Sequence, residues 1–257
     1  MHELLKNAVF AICCLMVTAC TSHYNLANVS HTRLVIDKQY DVQPNQTATK
    51  ILGLYKAKVD SIMSPVLGHV AHDMAAERPE SDLSNLLADI LIWAAKSYNE
   101  KPVLAVYNVG GIRAALNKGA VTYGDVLAIA PFENKIAFTT LSGEKLMELF
   151  QQIAKKGGDG VSKGTELVID SKGDLLSARL QGKEIEPTGQ YRVTTIDYLV
   201  QGNDGLAAFK DGTNLYSPQD EHNNARFLIM DYFKEMEAKG QQVDSKVEGR
   251  IVVKDMP

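Results

Sequence analysis

The stretch Val103-Leu104-Ala105-Val106-Tyr107, followed at once by Asn108-Val109-Gly110-Gly111-Ile112-Arg113, constrains this chain more than any other. A short apolar run of this kind reads as a strand. The paired glycines that end it let another group approach the backbone closely. Asn108 and Arg113 flank them. The amide offers donors and an acceptor, and the guanidinium a planar cation, so together they suit the edge of a polar ring and an anion. The plainer alternatives stay open: Asn108 as a turn residue, Arg113 as a surface arginine.

The rest of the pattern is mixed. Asn45-Gln46-Thr47 carries a helix start, and a helical pattern follows to about Met63, stopped before Pro65. Asp82 opens a second helix, with Leu83, Leu86, Leu87, Ile90 and Leu91 on one face and Trp93 read as core. A short helix through Ala114-Ala115-Leu116 and another over Thr122 to Ile129, capped by Thr122, come next. Lys135 to Thr140 is strand-like, and Ser142 opens an amphipathic helix stopped by Gly157-Gly158. Glu166 to Asp170, Leu176 to Leu180 and Tyr191 to Ile196 read as strands, Asn223 to Ala238 as a last helix, Glu248 to Val253 as a closing strand. Strands and helices do not alternate strictly, and hairpin-like spacing follows residue 166, which predicts α+β rather than a parallel doubly wound fold.

A net charge of −4 lacks the basic face that binding a nucleic-acid backbone needs, so no nucleic-acid partner is expected. The N-terminus has an apolar run from Ala8 to Met16, too short to span a bilayer, and then Val17-Thr18-Ala19-Cys20. This reads as a lipoprotein signal peptide over residues 1–19 with Cys20 as the lipidated first residue, or as ordinary cleavage after Ala19 that frees Cys20. Acylation at Cys20 implies a bacterial cell-envelope location, anchored to a membrane at the outer membrane or the periplasmic face. Residues 20–45 read as a tether, with a short strand at Arg33 to Asp37, and residues 46–257 as the folded domain.

Two aromatic residues sit at element ends. Phe132 follows a proline in Pro131-Phe132-Glu133-Asn134, and Tyr198 ends an apolar strand before Gly202-Asn203-Asp204-Gly205. Such ends project side chains into clefts, where two rings could grip a flat heteroaromatic base. By position alone, both also read as ordinary core aromatics, and Asp204 as a turn former. Gly157-Gly158-Asp159-Gly160 matches the second loop in letters but follows a helix, and reads as a helix stop. His69 and His72 lie three apart, without the glutamate and spacing of a zincin helix, so no metal site is expected there.

The three blocks around Asn108–Arg113, Phe132–Asn134 and Tyr198–Asp204, in that order, resemble the C-terminal, nucleotide-binding domain of the 5'-nucleotidase / 2',3'-cyclic phosphodiesterase family. The resemblance covers about residues 46–257 and implies mixed β-sheets packed together with helices on the outside. It implies that Phe132 and Tyr198 sandwich a base, a position where many relatives have phenylalanine in place of Tyr198. It further implies that Asp204 accepts from both ribose hydroxyls, that Asn108, Gly110, Gly111 and Asn134 meet base or sugar, and that Arg113 reaches the phosphate side. Arg78, just before Glu80–Leu86, is the nearest match to a further family arginine, although the alignment is off by one and Pro79 intervenes. The family's two-metal centre needs Asp-x-His, Gly-Asn-His-Glu/Asp and Gly-His-x-His, and none occurs in these residues.

The expectation is therefore a nucleotide- or nucleoside-binding specificity domain in nucleotide catabolism, with no catalytic residue, metal or cofactor of its own. It would act with a separate metallophosphatase subunit carrying the divalent metals, and be inactive alone. A non-catalytic nucleoside-binding envelope lipoprotein is the alternative, and a surface protein with a vestigial site the third reading.

Overall fold

The computed structural model describes His2 and residues 28–30, 32–42 and 44–254, so the rest of the leader and Cys20 lie outside the described residues. The chain forms two units, one up to Ile51 and one from Leu52 onward. Helix α1, Gln46–Met63, runs across that division and buries none of its residues. Ile51, Leu52, Tyr55, Val59 and Ile62 are all exposed, and the buried core starts at Leu67. The short strand expected at Arg33 to Asp37 does not form. Leu34, Val35 and Ile36 are exposed, no strand among the described residues takes up their backbone groups, and a 3-10 turn, Lys38–Val42, follows.

The architecture is α+β. Five strands form the central sheet in the order β10 (Thr213–Tyr216), β4 (Ile136–Ser142), β9 (Gln190–Ile196), β2 (Leu104–Tyr107) and β5 (Gly160–Val161). A second sheet joins β11 (Ile251–Val253), β6 (Thr165–Ile169), β7 (Leu175–Leu180) and β8 (Lys183–Glu184). A two-stranded ribbon pairs β1 (Val66–Val70) with β3 (Gly119–Thr122). Among the named strands of the described residues, β2–β9 and β6–β11 pair in parallel and the other pairs are antiparallel, which agrees with the broken alternation read from the sequence.

Helices pack on the sheets and on one another because each presents one apolar face. In α2, Asp82–Ala94, Leu83, Leu86, Leu87, Ile90 and Leu91 are buried. The Ser81 hydroxyl accepts from the Ser84 backbone N–H and Ser84 returns the bond, a capping box contributing about 1 kcal/mol. Trp93 meets Tyr232 edge-on at 5.2 Å between ring centres, in the core role expected of it. Helix α3, Tyr123–Ile129, has the expected Thr122 cap, reciprocated by Asp125. In α4, Gly143–Lys155, Leu146, Leu149, Phe150 and Ile153 face inward, and in α5, Ala225–Ala238, so do Leu228, Ile229 and Phe233.

The short helix expected through Ala114-Ala115-Leu116 is absent. Leu116 instead exchanges both backbone hydrogen bonds with Met74, and the Arg113 N–H goes to the Ile129 carbonyl. Tertiary pairing took the groups a helical turn would have used.

Candidate functional site

Strand register gathers the site at one end of the central sheet. β4 and β9 are antiparallel with Ile136 opposite Ile196, so the residues before 136 and after 196 leave the sheet together. That places Phe132–Asn134 beside Tyr198. β2 runs parallel to β9, so Asn108 emerges at the same end. β5 is antiparallel to β2 with Tyr107 opposite Gly160, which sets Asp159 against Asn108 and Val109.

Here the chain forms a cleft of about 270 Å³ lined by Asn108, Gly110, Gly111, Arg113, Phe132, Asn134 and Tyr198. The volume is near the lower end of ligand pockets, about 300 Å³. Seven of the nine residues expected from the sequence therefore share one wall set. Phe132 and Tyr198 are 48% and 41% exposed, so neither is a core aromatic. The Arg113 guanidinium lies 6.0 Å from the centre of the Phe132 ring and donates to the Gly110 carbonyl at 3.3 Å. The arms are tied down by backbone bonds. The Asp197 N–H donates to the Lys135 carbonyl at 2.8 Å, Asn203 Nδ2 to the Tyr198 carbonyl at 2.9 Å, and the Ala225 N–H to the Asn134 carbonyl at 2.8 Å.

Beside the cleft lies a charged network. Asn108, buried, donates through Nδ2 to Asp204 Oδ2 at 2.9 Å. Its Oδ1 is buried without a partner against Gly111, where an added Cβ would sit 2.8 Å away. Asp204 holds a left-handed backbone, φ +56°, a conformation aspartate tolerates better than most residues. Lys156 Nζ donates to the same Asp204 Oδ2 at 2.9 Å and also to Asp159 Oδ2. Asp159 is wholly buried and takes the Val109 N–H on Oδ1 at 2.8 Å. Burial pushes the Asp159 carboxyl above its ordinary range, against the opposing pull of Lys156, the Val109 N–H and Arg78.

Arg78 does not line the cleft. Its Nε donates to the Gly158 carbonyl at 2.8 Å and its Nη2 to Asp159 Oδ1 at 3.3 Å, so it meets the network from behind. Gly157-Gly158-Asp159-Gly160, expected only as a helix stop, does stop α4, but it also supplies the buried carboxylate under the glycine turn. Lys156 and Asp159 are the members that sequence reasoning missed. The available signal was the loop's likeness to the Asp204 loop. The β2–β5 pairing that swings it under Val109 is non-local and left no local mark.

The histidines are tied up elsewhere. His72 bridges Asp82 and Asp244 at 3.3 and 3.2 Å, and His69 meets Glu237 at 2.9 Å. Among the described residues, no group of three or more His, Cys, Asp or Glu is arranged to hold a metal ion, and no helix is long and apolar enough to cross a membrane.

With this geometry in place, comparison with known proteins is informative. Residues 66–211 match the family described as 5'-nucleotidase, C-terminal domain. The protein UshA of Yersinia enterocolitica is 30% identical over 154 residues, which are 58% of this chain and 27% of that protein. The trifunctional nucleotide phosphoesterase protein YfkN of Bacillus subtilis is 27% identical over 231 residues, 85% of this chain and 16% of its own length. A crystal structure of a 5'-nucleotidase precursor from Thermus thermophilus superposes with a TM-score of 0.70 at 25% identity, covering 82% of this chain and 44% of that one. The chain thus spans less than half the length of each of these relatives.

Proposed function

We propose, for a chain that belongs to the 5'-nucleotidase family through its C-terminal domain, that the cleft holds a nucleotide by its base and sugar while a separate metallophosphatase chain cleaves the phosphate. The observation that carries this reading is the pair Phe132 and Tyr198, half-exposed and lining one cleft of about 270 Å³. Phe132, in the loop before β4, and Tyr198, in the helical turn Asp197–Val200 after β9, keep roughly half their surface in water and are placed to cover a ligand. A base between them gains stacking of about 1–3 kcal/mol. Asp204 is the acceptor for sugar hydroxyls: both of its bonds within the fold use Oδ2. Arg113, exposed at the cleft, supplies the cation for the phosphate side. Arg78, bonded to Asp159 and Gly158, supports the turn rather than meeting the ligand.

Hydrolysis in this family draws on divalent metals to generate hydroxide. The described residues lack a cluster suited to hold them, so the reading assigns them to the partner. Val17-Thr18-Ala19-Cys20 supports a lipid anchor at Cys20 and a place in a bacterial cell envelope, beside such a partner.

The test is phosphate release from AMP in the presence of Mn²⁺, measured for this chain, for a metallophosphatase domain of the same family, and for their mixture. The expected result is no release by this chain alone and a mixture faster than the sum. A mixture no faster than the sum contradicts the split-enzyme reading. Adenosine binding without any gain in hydrolysis would favour the alternative, a nucleoside-binding envelope lipoprotein.

A further inference from the structure

We propose that Lys156, at the end of α4, is a positioning residue that aims the Asp204 carboxylate so that the site selects sugars carrying a vicinal diol. The inference deepens the nucleoside reading of the cleft and rests on it.

Four observations lead there. Asp204 sits in a loop with little regular structure to fix it: Gly202, Asp204 and Gly205 all have positive φ. What fixes its side chain is a pair of donors on one oxygen. Lys156 Nζ and Asn108 Nδ2 each lie 2.9 Å from Oδ2, which leaves Oδ1 with no partner among the described residues. A carboxylate held by one oxygen offers the other in a fixed direction, where it can accept from two adjacent hydroxyls. The carboxylate also lies beside the cleft wall, since a Cβ on Gly110 would be 3.8 Å from Asp204 Oδ2.

The third observation is how Lys156 is itself held. Its Nζ also donates to Asp159, whose other oxygen takes the Val109 N–H at 2.8 Å and Arg78 Nη2 at 3.3 Å. One buried carboxylate therefore references both arms of the site, the glycine turn through Val109 and the sugar loop through Lys156. The fourth is charge. Asp159 and Asp204 are balanced by Lys156 and Arg78, so the network is neutral and leaves Arg113 as the cation that lines the cleft. Without Lys156, two carboxylates would face each other across the vacated ammonium position. Asp204 would then swing toward water, and its free oxygen would lose its direction.

Lys156 also follows the C-terminus of α4, where a cation steadies any helix. The experiment must separate the two roles. Titration calorimetry with adenosine and with 2',3'-dideoxyadenosine, which keeps the base and lacks the diol, reads the discrimination directly. The wild-type chain is expected to prefer adenosine by about tenfold or more, as a lost hydroxyl contact implies. In Lys156→Met the ratio is expected to fall to within about twofold, with dideoxyadenosine affinity little changed. Asp204→Ala should give the same collapse, and the double variant no further loss. Lys156→Arg, which restores the cation, should recover part of the preference and also serves if the methionine variant unfolds. A Lys156→Met chain that keeps the wild-type ratio overturns the proposal and leaves the cleft reading intact. A wild-type chain that binds neither ligand overturns the cleft reading and the proposal together.

Discussion

Gly110 and Gly111 are adjacent, yet the structure gives them opposite tolerances for a methyl group. At Gly111 an added Cβ would lie 2.8 Å from Asn108 Oδ1 and 3.3 Å from its Cγ and Nδ2. Real Cβ atoms do not come so close, so the Asn108 side chain must move. It is buried and can yield only by giving up its 2.9 Å bond to Asp204. Losing a hydrogen bond to a charged acceptor costs about 1.5–3 kcal/mol, and overpacking costs a similar amount. The two are alternatives, because moving Asn108 relieves the overlap, so the loss is about 2 kcal/mol, which in a domain of this size lowers Tm by about 4–8 °C. At Gly110 the nearest atoms to an added Cβ are 3.8 and 4.0 Å away, and its φ is not positive. Gly110→Ala should therefore shift Tm by no more than about 2 °C, helped by the lower entropy of its unfolded chain. Thermal unfolding of the two variants, followed by circular dichroism, compares them side by side. Adenosine affinity should also fall about tenfold in Gly111→Ala, since Asp204 loses one of its two anchors. Equal melting temperatures for the two variants would show that the different space behind the two glycines does not set their tolerance.

Two further outcomes follow from the same coordinates. Glu100 receives both Nε and Nη2 of Arg192, at 2.8 and 2.6 Å, which holds its carboxyl below the ordinary glutamate range. A depressed carboxyl contributes stability above its unfolded value, near pH 4.3, and loses it as pH falls. Glu100→Gln should thus be less stable than wild type by about 1–2 kcal/mol at pH 7, with the gap closing toward pH 3 in denaturant titrations; a gap independent of pH would count against the ion pair. Because α1 buries nothing, a chain starting at Ser64 should unfold within about 2 °C of the full chain, and a drop of 5 °C or more would show that α1 packs on the domain.

Much of the fold was legible in the sequence because its helices carry their own signals. The caps at Thr122 and Ser142 and the apolar stripes of α2 and α4 are local features and fell where the sequence put them, while α2 starts at the expected Asp82 with Ser81 as its cap. Two elements misled for one reason. Arg33 to Asp37 has the β-branched composition of a strand but no neighbour to pair with, and Ala114-Ala115-Leu116 has helical residues but a backbone claimed by Met74 and Ile129. Pairing is decided by distant chain, and composition does not record it. The site divides in the same way. Residues that face the cleft sit in short blocks whose order marks the family. The network behind them depends on β5 lying antiparallel to β2, and that turned an apparent helix stop at Gly157–Gly160 into the buried anchor of the glycine turn. Arg78 shows the reverse case: its letters resemble a ligand-facing arginine, while its bonds go to Gly158 and Asp159.

The account as a whole stands on two rings, Phe132 and Tyr198, closing on a planar base. Titration calorimetry with adenosine and AMP on the wild-type chain and on the Phe132→Ala, Tyr198→Ala double variant tests it most directly. Both residues are about half exposed and stand outside the core cluster, so the double variant should stay folded and melt close to wild type. Losing stacking of about 1–3 kcal/mol implies that affinity falls by about 5- to 150-fold, which for a weak ligand removes most of the measurable heat. A folded double variant that binds adenosine as the wild type does would contradict the account.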